Sequence, residues 1–283
     1  MMIVDVTEDN VEEYREMIPD EYLQDIEREY CNVLVGIDSE SHDLMAAVFW
    51  EVKNVERERI DNAAEIRWFF AEGKEQAGEL LDAFDEKNSY DEVKGAYFEL
   101  ETLRDQEIAA LKERGFSIKQ TQGIDVYVSV EEIMKLDIAK KRPPEYIMSI
   151  SDVSSFQFKA GIMNSVFHER YGLLDDLPFL PISWYDPDIS SCVLTDDRVT
   201  GILLVHKMKP GLRRVELLFS EKLDAAINVL NMLRFSIQAA GRLLEPEELF
   251  LIRRHNRTVI ELVKKLFPGK KGDRIYRGIR SKR

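Results

Sequence analysis

Glu65-Ile66-Arg67-Trp68-Phe69 and Leu111-Lys112-Glu113-Arg114-Gly115-Phe116 recur downstream as Glu216-Leu217-Leu218-Phe219-Ser220 and Leu262-Val263-Lys264-Lys265-Leu266-Phe267, both at an offset of 151 residues. One offset shared by two patterned segments implies two copies of a single unit. A third echo precedes them: Cys31-Asn32-Val33-Leu34-Val35 and Cys192-Val193-Leu194-Thr195 each run into an acidic turn, Asp38-Ser39-Glu40 and Asp196-Asp197. A length of 283 residues accommodates two copies of about 140, each large enough to bury its own core.

Composition narrows the class. Apolar residues make up 45% of the chain, with 9 prolines and 14 glycines, which is neither a disordered nor a collagenous composition. No apolar run reaches the ~20 residues of a membrane span, and the start, Met1-Met2-Ile3-Val4-Asp5-Val6, has no signal-peptide pattern. The expectation is a soluble cytoplasmic protein with no membrane partner. Cys31 and Cys192 occupy matching strand positions in separate copies and read as two buried thiols, not a disulfide. The formal net charge is −14, yet the last twenty residues, from Lys264, carry nine Lys or Arg against Asp273. The remaining body is strongly acidic, a poor surface for nucleic acid. The basic end reads as a solvated helix and strand.

Periodicity supplies the element order. Val11 to Arg28 reads as a charged amphipathic helix led by Thr7-Glu8-Asp9-Asn10, whose side-chain oxygens suit its first amides. Strands are expected at Cys31–Ile37, Leu44–Val52 and Ala63–Phe70, then a helix at Glu75–Phe84 with Ala77, Leu80, Leu81 and Phe84 on one face. A strand at Ala96–Leu100, a helix at Asp105–Arg114 and a strand at Asp125–Val130 close the first copy. The second repeats the order: helix Asp152–Tyr171, strands Ser190–Leu194, Val199–Met208 and Arg214–Phe219, helix Leu223–Ile237, strand Leu249–Ile252, helix Asn256–Phe267 and strand Arg274–Ile279. A short helix at Val130–Leu136 and the stiff, charged Lys140-Lys141-Arg142-Pro143-Pro144 place the boundary near 142, giving domains 1–142 and 143–283. The proline-rich stretch Leu177–Pro187 has no counterpart in the first copy and reads as an ordered loop.

This order, ending in strand, helix, Gly115-Phe116 and strand, resembles the GCN5-related N-acetyltransferase superfamily, and the likeness covers both copies. The resemblance implies an α/β (α+β) architecture of two tandem domains, each a mixed twisted sheet flanked by helices. It implies acetyl-CoA, or another acyl-CoA, as co-substrate, entering where two parallel strands splay. The pyrophosphate would rest on a loop at a helix start, where free amides and the helix dipole favour anions. That loop corresponds to Ala71–Gly78 in the first copy and Ser220–Ala226 in the second. Aligned on Ala77 and Ala226, the family's Arg-or-Gln and first Gly positions hold Glu72 and Glu75, and Glu221 and Asp224. Carboxylates there oppose a phosphate. Gly73, Gly78 and Lys74 make the first copy the expected cofactor site, with Trp68, Phe69, Phe70 and Ala77; Glu221-Lys222-Leu223-Asp224-Ala225-Ala226 has no glycine.

The tyrosine that many members carry five residues before the closing Phe is Leu111 in one copy and Leu262 in the other, and both read as core positions. The general acid would be Tyr127 or solvent. A carboxylate on the fourth strand, Glu65, with Glu216 as its counterpart, is the expected base for the acceptor ammonium. His255 and Asn256 lie where the family's amine reacts. His42, His168 and His206 form no metal-ligand cluster. The resemblance thus implies an N-acetyltransferase acting on a small, cationic amine by direct attack on the thioester. The alternative class is a non-catalytic binding or assembly scaffold, and the acidic body argues against a transfer-RNA-dependent transferase.

Overall fold

The computed structural model describes residues 1–55, 60–90, 93–168, 177–221, 225–254 and 257–281. The chain folds into two compact units, Met1–Gly123 with Lys271–Arg283, and Ile124–Lys270. Each carries one mixed sheet. Among the described residues no helix is long and apolar enough to cross a membrane.

The first unit opens with strand β1 (Met2–Val6), a segment whose alternation the sequence reading passed over. The helix expected from Val11 to Arg28 is broken into α1 (Val11–Tyr14), a 3-10 turn and α2 (Asp20–Leu23). Pro19, extended at ψ 137°, caps α2 and cannot donate into a continuous helix. Then follow β2 (Cys31–Ile37), β3 (Leu44–Val55), β4 (Ile60–Ala71), α3 (Lys74–Tyr90), β5 (Gly95–Leu100), α4 (Asp105–Glu113) and β6 (Ser117–Gln122). Strands β1 to β4 are antiparallel neighbours, and β4 pairs with β5 in parallel. The α3 and α4 face buries Trp50, Ala64, Ile66, Leu80, Phe84, Phe98 and Leu111 in one core. Trp50 meets Phe84 edge-on, ring centroids 4.9 Å apart, and donates its indole N–H to Asn88.

The second unit contains β7 (Asp125–Ser129), α5 (Val130–Met134), β8 (Ile147–Ser149), α6 (Ser155–His168), β9 (Ser191–Thr195), β10 (Arg198–Lys209), β11 (Leu212–Ser220), α7 (Ala225–Leu243), β12 (Leu249–Arg253) and α8 (Arg257–Leu266). Its strand order is β7-β12-β11-β10-β9-β8, with β11 and β12 parallel. The stretch 177–187 forms two 3-10 turns and a bridge from Tyr185 to His206.

The closing strands are exchanged relative to the sequence expectation. Strand β7, expected to close the first copy, pairs with β12 of the second unit. The last strand, β13 (Arg274–Ser281), lies between β5 and β6 in the first unit's sheet. The expected boundary at 142 therefore falls inside the second unit, and the chain changes sheet within two residues, Gly123 and Ile124. Side-chain fit explains the choice. Gly278 lies opposite Phe98, and a Cβ there would fall 2.1 Å from the ring, so this strand suits the first sheet. Strand β7 instead buries Val126 and Val128 with Phe250, and Asp125 takes two hydrogen bonds from Arg253, at 3.0 and 3.2 Å.

Both sheets kink at one residue. Phe49 pairs with Trp68 and Trp50 with Ile66, leaving Arg67 bulged; Leu204 pairs with Leu217 and Val205 with Val215, leaving Glu216 bulged. Pairing with the parallel neighbour ends one residue earlier in each, at Ile66 and at Val215. Arg67 therefore corresponds to Glu216, and Glu65 to Arg214. The offset of 151 aligns Glu65 with Glu216, a slip of two residues. A slip of two leaves every side chain on the same face of a strand, which is why alternation alone could not detect it.

Candidate functional site: two splayed clefts

In the first unit, β4 and β5 pair from Ala63–Gly95 to Ile66–Phe98, after which β4 runs on to Ala71. The gap is stitched by α4. Glu107, 3% exposed, accepts from the Ala71 amide at 2.9 Å and from the Arg104 amide at 2.7 Å. Arg104 also bonds the Ala71 carbonyl and lies 4.6 Å over the Phe70 ring, while Gln106 reaches the Glu72 carbonyl. Leu100, Leu103, Phe69 and Ala71 fill the space beneath as core.

The expected cofactor residues occupy this closed region. Ala77 is fully buried, and its amide bonds the Gly73 carbonyl within the helix. Phe69 belongs to the core and Phe70 lies under Arg104; Trp68 is half-buried, 6.2 Å from the Tyr22 ring. Lys74 pairs with Glu113 at 2.5 Å. Neither Gly73 nor Gly78 adopts positive φ, so the freedom that recommended them is not used.

Glu65, the expected base, is 5% exposed on the opposite face of β4. Lys53 lies 2.9 Å from it and Arg67 3.6 Å; Lys53 also pairs with Glu51 at 2.6 Å, and Arg67 approaches Glu51 at 3.9 Å. Two carboxylates and two cations balance in a buried square. Such a set resists removal of any member, because the remainder is left as uncompensated buried charge. Glu65 is a counter-ion in this square.

In the second unit, pairing between β11 and β12 ends at Val215–Ile252 and β11 runs on to Ser220. Here the gap is open. A cavity in which the positions available to a water centre span ≈ 80 Å³ lies under α7 and α8, bounded by Leu218, Leu233, Ile237, Ile252, Val259, Leu262 and Leu266. On the alignment that matches Leu262 to Leu111, Val259 stands where Ile108 does in α4, and it borders the cavity. Leu262, where the family tyrosine would stand, lines the same cavity. Three polar side chains reach it, and each is engaged: Glu216 accepts from Arg214 at 2.6 Å, Arg253 holds Asp125, and Ser236 bonds Ser191 at 3.1 Å.

Tyr127, the expected acid, is half-buried on β7 beside Leu251, in the second unit's sheet, and its carbonyl accepts from Lys270. Glu65 is in the first unit, so the expected acid and base are built on different sheets. His255, Asn256, the His168 side chain and residues 222–224 of the second loop lie outside the described residues. His206 is buried, stacked 4.9 Å from Trp184 with Nδ1 2.9 Å from that residue's carbonyl oxygen, a packing role. Glu107 and Lys53 are not among the residues the sequence singles out. For Glu107 the available signal was an acid at the third position of a helix, which marks a cap but not the strand it latches.

No family model and no curated protein matches this chain. Solved structures do. A tandem GNAT protein from the clavulanic acid biosynthesis pathway is 10% identical, with 100% of this chain and 99% of that one covered at a TM-score of 0.58. A GCN5-related N-acetyltransferase from Sphaerobacter thermophilus is 10% identical over 92% and 85% of the two chains, TM-score 0.52. The chain spans 64% of the length of a probable N-acyltransferase from Enterococcus faecalis V583, 11% identical over 89% of this chain, TM-score 0.49. The fold is that of a tandem GCN5-related N-acetyltransferase.

Proposed function

We propose that the chain is an acyl-CoA-dependent N-acyltransferase, with acetyl-CoA as its simplest donor, and that the donor cleft is the one in the second unit. The observation that carries this reading is the open cavity where β11 leaves β12, set against the gap between β4 and β5 that Glu107 closes. On its glycines the first copy is the expected cofactor site; the filled gap moves the proposal to the second unit.

Past Val215, β11 has no strand partner on its β12 side among the described residues, so amides along that edge are placed to polarise a thioester carbonyl. Glu216, bulged at the point of divergence and lining the cavity, takes the proton that the acceptor ammonium must lose, directly or through water. The neutral amine then attacks the carbonyl carbon. A new C–N bond forms, the C–S bond breaks, the nitrogen releases its second proton to solvent, and CoA leaves as a thiolate that solvent protonates. The acidic body favours a small cationic amine.

Calorimetric titration of the full chain with acetyl-CoA tests the reading. Binding should be weakened about tenfold or more by Leu262→Trp, which fills the cavity, and be little changed by Glu107→Gln. Loss of binding in Glu107→Gln with retention in a folded Leu262→Trp would return the site to the first unit. No binding by the wild type would favour the non-catalytic scaffold.

A further inference from the structure

The cavity continues well past the point of strand divergence. Its α8 wall runs from Val259 to Leu266, two helical turns or about 10 Å of axial length. Its lining also includes Val215 of β11, Ile133 of α5 and Leu136 just beyond that helix. An acetyl group bound at the divergence would occupy only its mouth. The available volume is about five to eight times what one water needs, and seventeen of the twenty side chains around it are apolar. An apolar space of this length suits a hydrocarbon chain.

Resting on the acyltransferase reading, we infer that the second unit's cleft selects a donor carrying a medium aliphatic acyl chain, of the hexanoyl class, in preference to acetyl. The chain lies under α8 with its terminus toward Leu266 and α5, and the thioester stays at the divergence beside Glu216. Each buried methylene strengthens binding about fourfold.

The test is an affinity series on the full-length protein with CoA, acetyl-CoA, butanoyl-CoA and hexanoyl-CoA. Hexanoyl-CoA should bind about tenfold or more tightly than acetyl-CoA, with butanoyl-CoA between them. Leu266→Trp, which shortens the far end, should remove that gain, read as the hexanoyl-to-acetyl affinity ratio within the variant. Equal affinities across the series in the wild type overturn the inference and leave the acyltransferase reading standing, and that comparison needs no variant to fold. A hexanoyl gain that survives in Leu266→Trp overturns the placement of the chain. Failure of all four ligands to bind overturns the acyltransferase reading, and this inference with it.

Discussion

The two clefts differ in what borders the gap between their parallel strands. In α4 the third residue is Glu107, whose carboxylate bonds two backbone amides and ties the helix to the end of β4. In α8 the first described buried side chain, Val259, lines a cavity. The charges beside the bulges are also inverted: Glu65 and Arg67 in one sheet, Arg214 and Glu216 in the other. In the first unit they belong to a buried ionic cluster; in the second the acid reaches the cavity wall. Two sheets of one design thus differ in what borders the gap: a hydrogen-bonded carboxylate in the first unit and an apolar cavity in the second.

The largest expected difference is catalytic. Glu216→Gln should lower kcat by about 10²–10⁴ with little change in donor affinity, the range for a lost general base. Glu65→Gln should leave kcat within a few-fold but lower the melting temperature, since Lys53 and Arg67 would lose half their counter-charge. Steady-state rates and thermal melts on both variants decide it, and a kcat collapse confined to Glu65→Gln would reverse the assignment.

Alkaline pH should act on the second unit. Burial in β9, with a lesser contribution from Asp152, pushes the Cys192 thiol from 9.0 up to about 12. The folded state therefore holds the proton that the unfolded chain releases. This contribution to stability is whole below pH 9.0 and is lost as pH rises toward about 12, an effect on the order of 3–4 kcal/mol. Denaturant unfolding across that range should show the slope in the wild type and a shallower one in Cys192→Ala. Equal slopes would mean the thiol does not govern it.

Glu107→Ala should cost about 1–3 kcal/mol, because the buried Ala71 amide and the part-buried Arg104 amide lose their acceptor, and should leave donor binding in the second unit unchanged. A variant as stable as the wild type would show that the stitch is not what seals the first cleft. The smallest effect is expected for Gly278→Ala, about 1–3 kcal/mol from the collision with Phe98. If that substitution is neutral, Gly278 does not explain why β13 belongs to the first sheet.

Much of this fold was legible in the sequence. The apolar, β-branched and aromatic content of Cys31–Ile37, Leu44–Val52 and Val199–Met208 and the helical stripe through Ala77, Leu80, Leu81 and Phe84 fixed element type and order. Register was not legible, because a strand repeats every two residues and Glu65-Ile-Arg67 looks like Glu216-Leu-Leu218 until the bulges are seen. The exchange of β7 and β13 was hidden for a related reason: both alternate, and only Phe98 against Gly278 and Arg253 against Asp125 distinguish their sheets. Ser117–Gln122, largely exposed and polar, gave no apolar signal at all. The site was least legible. Glycines pointed to the first unit, whereas closure depends on Glu107 meeting Ala71, 36 residues apart in sequence.

The most direct test locates the donor. A photoreactive benzophenone-bearing acyl-CoA, crosslinked to the full-length protein and mapped by peptide mass spectrometry, reports the occupied cleft without any substitution. Crosslinks competed by excess acetyl-CoA are expected in β11 and α8, at peptides spanning Leu212–Ser220 and Arg257–Leu266. Crosslinks concentrated in Ile60–Ala71 and Asp105–Glu113 would contradict a donor cleft in the second unit.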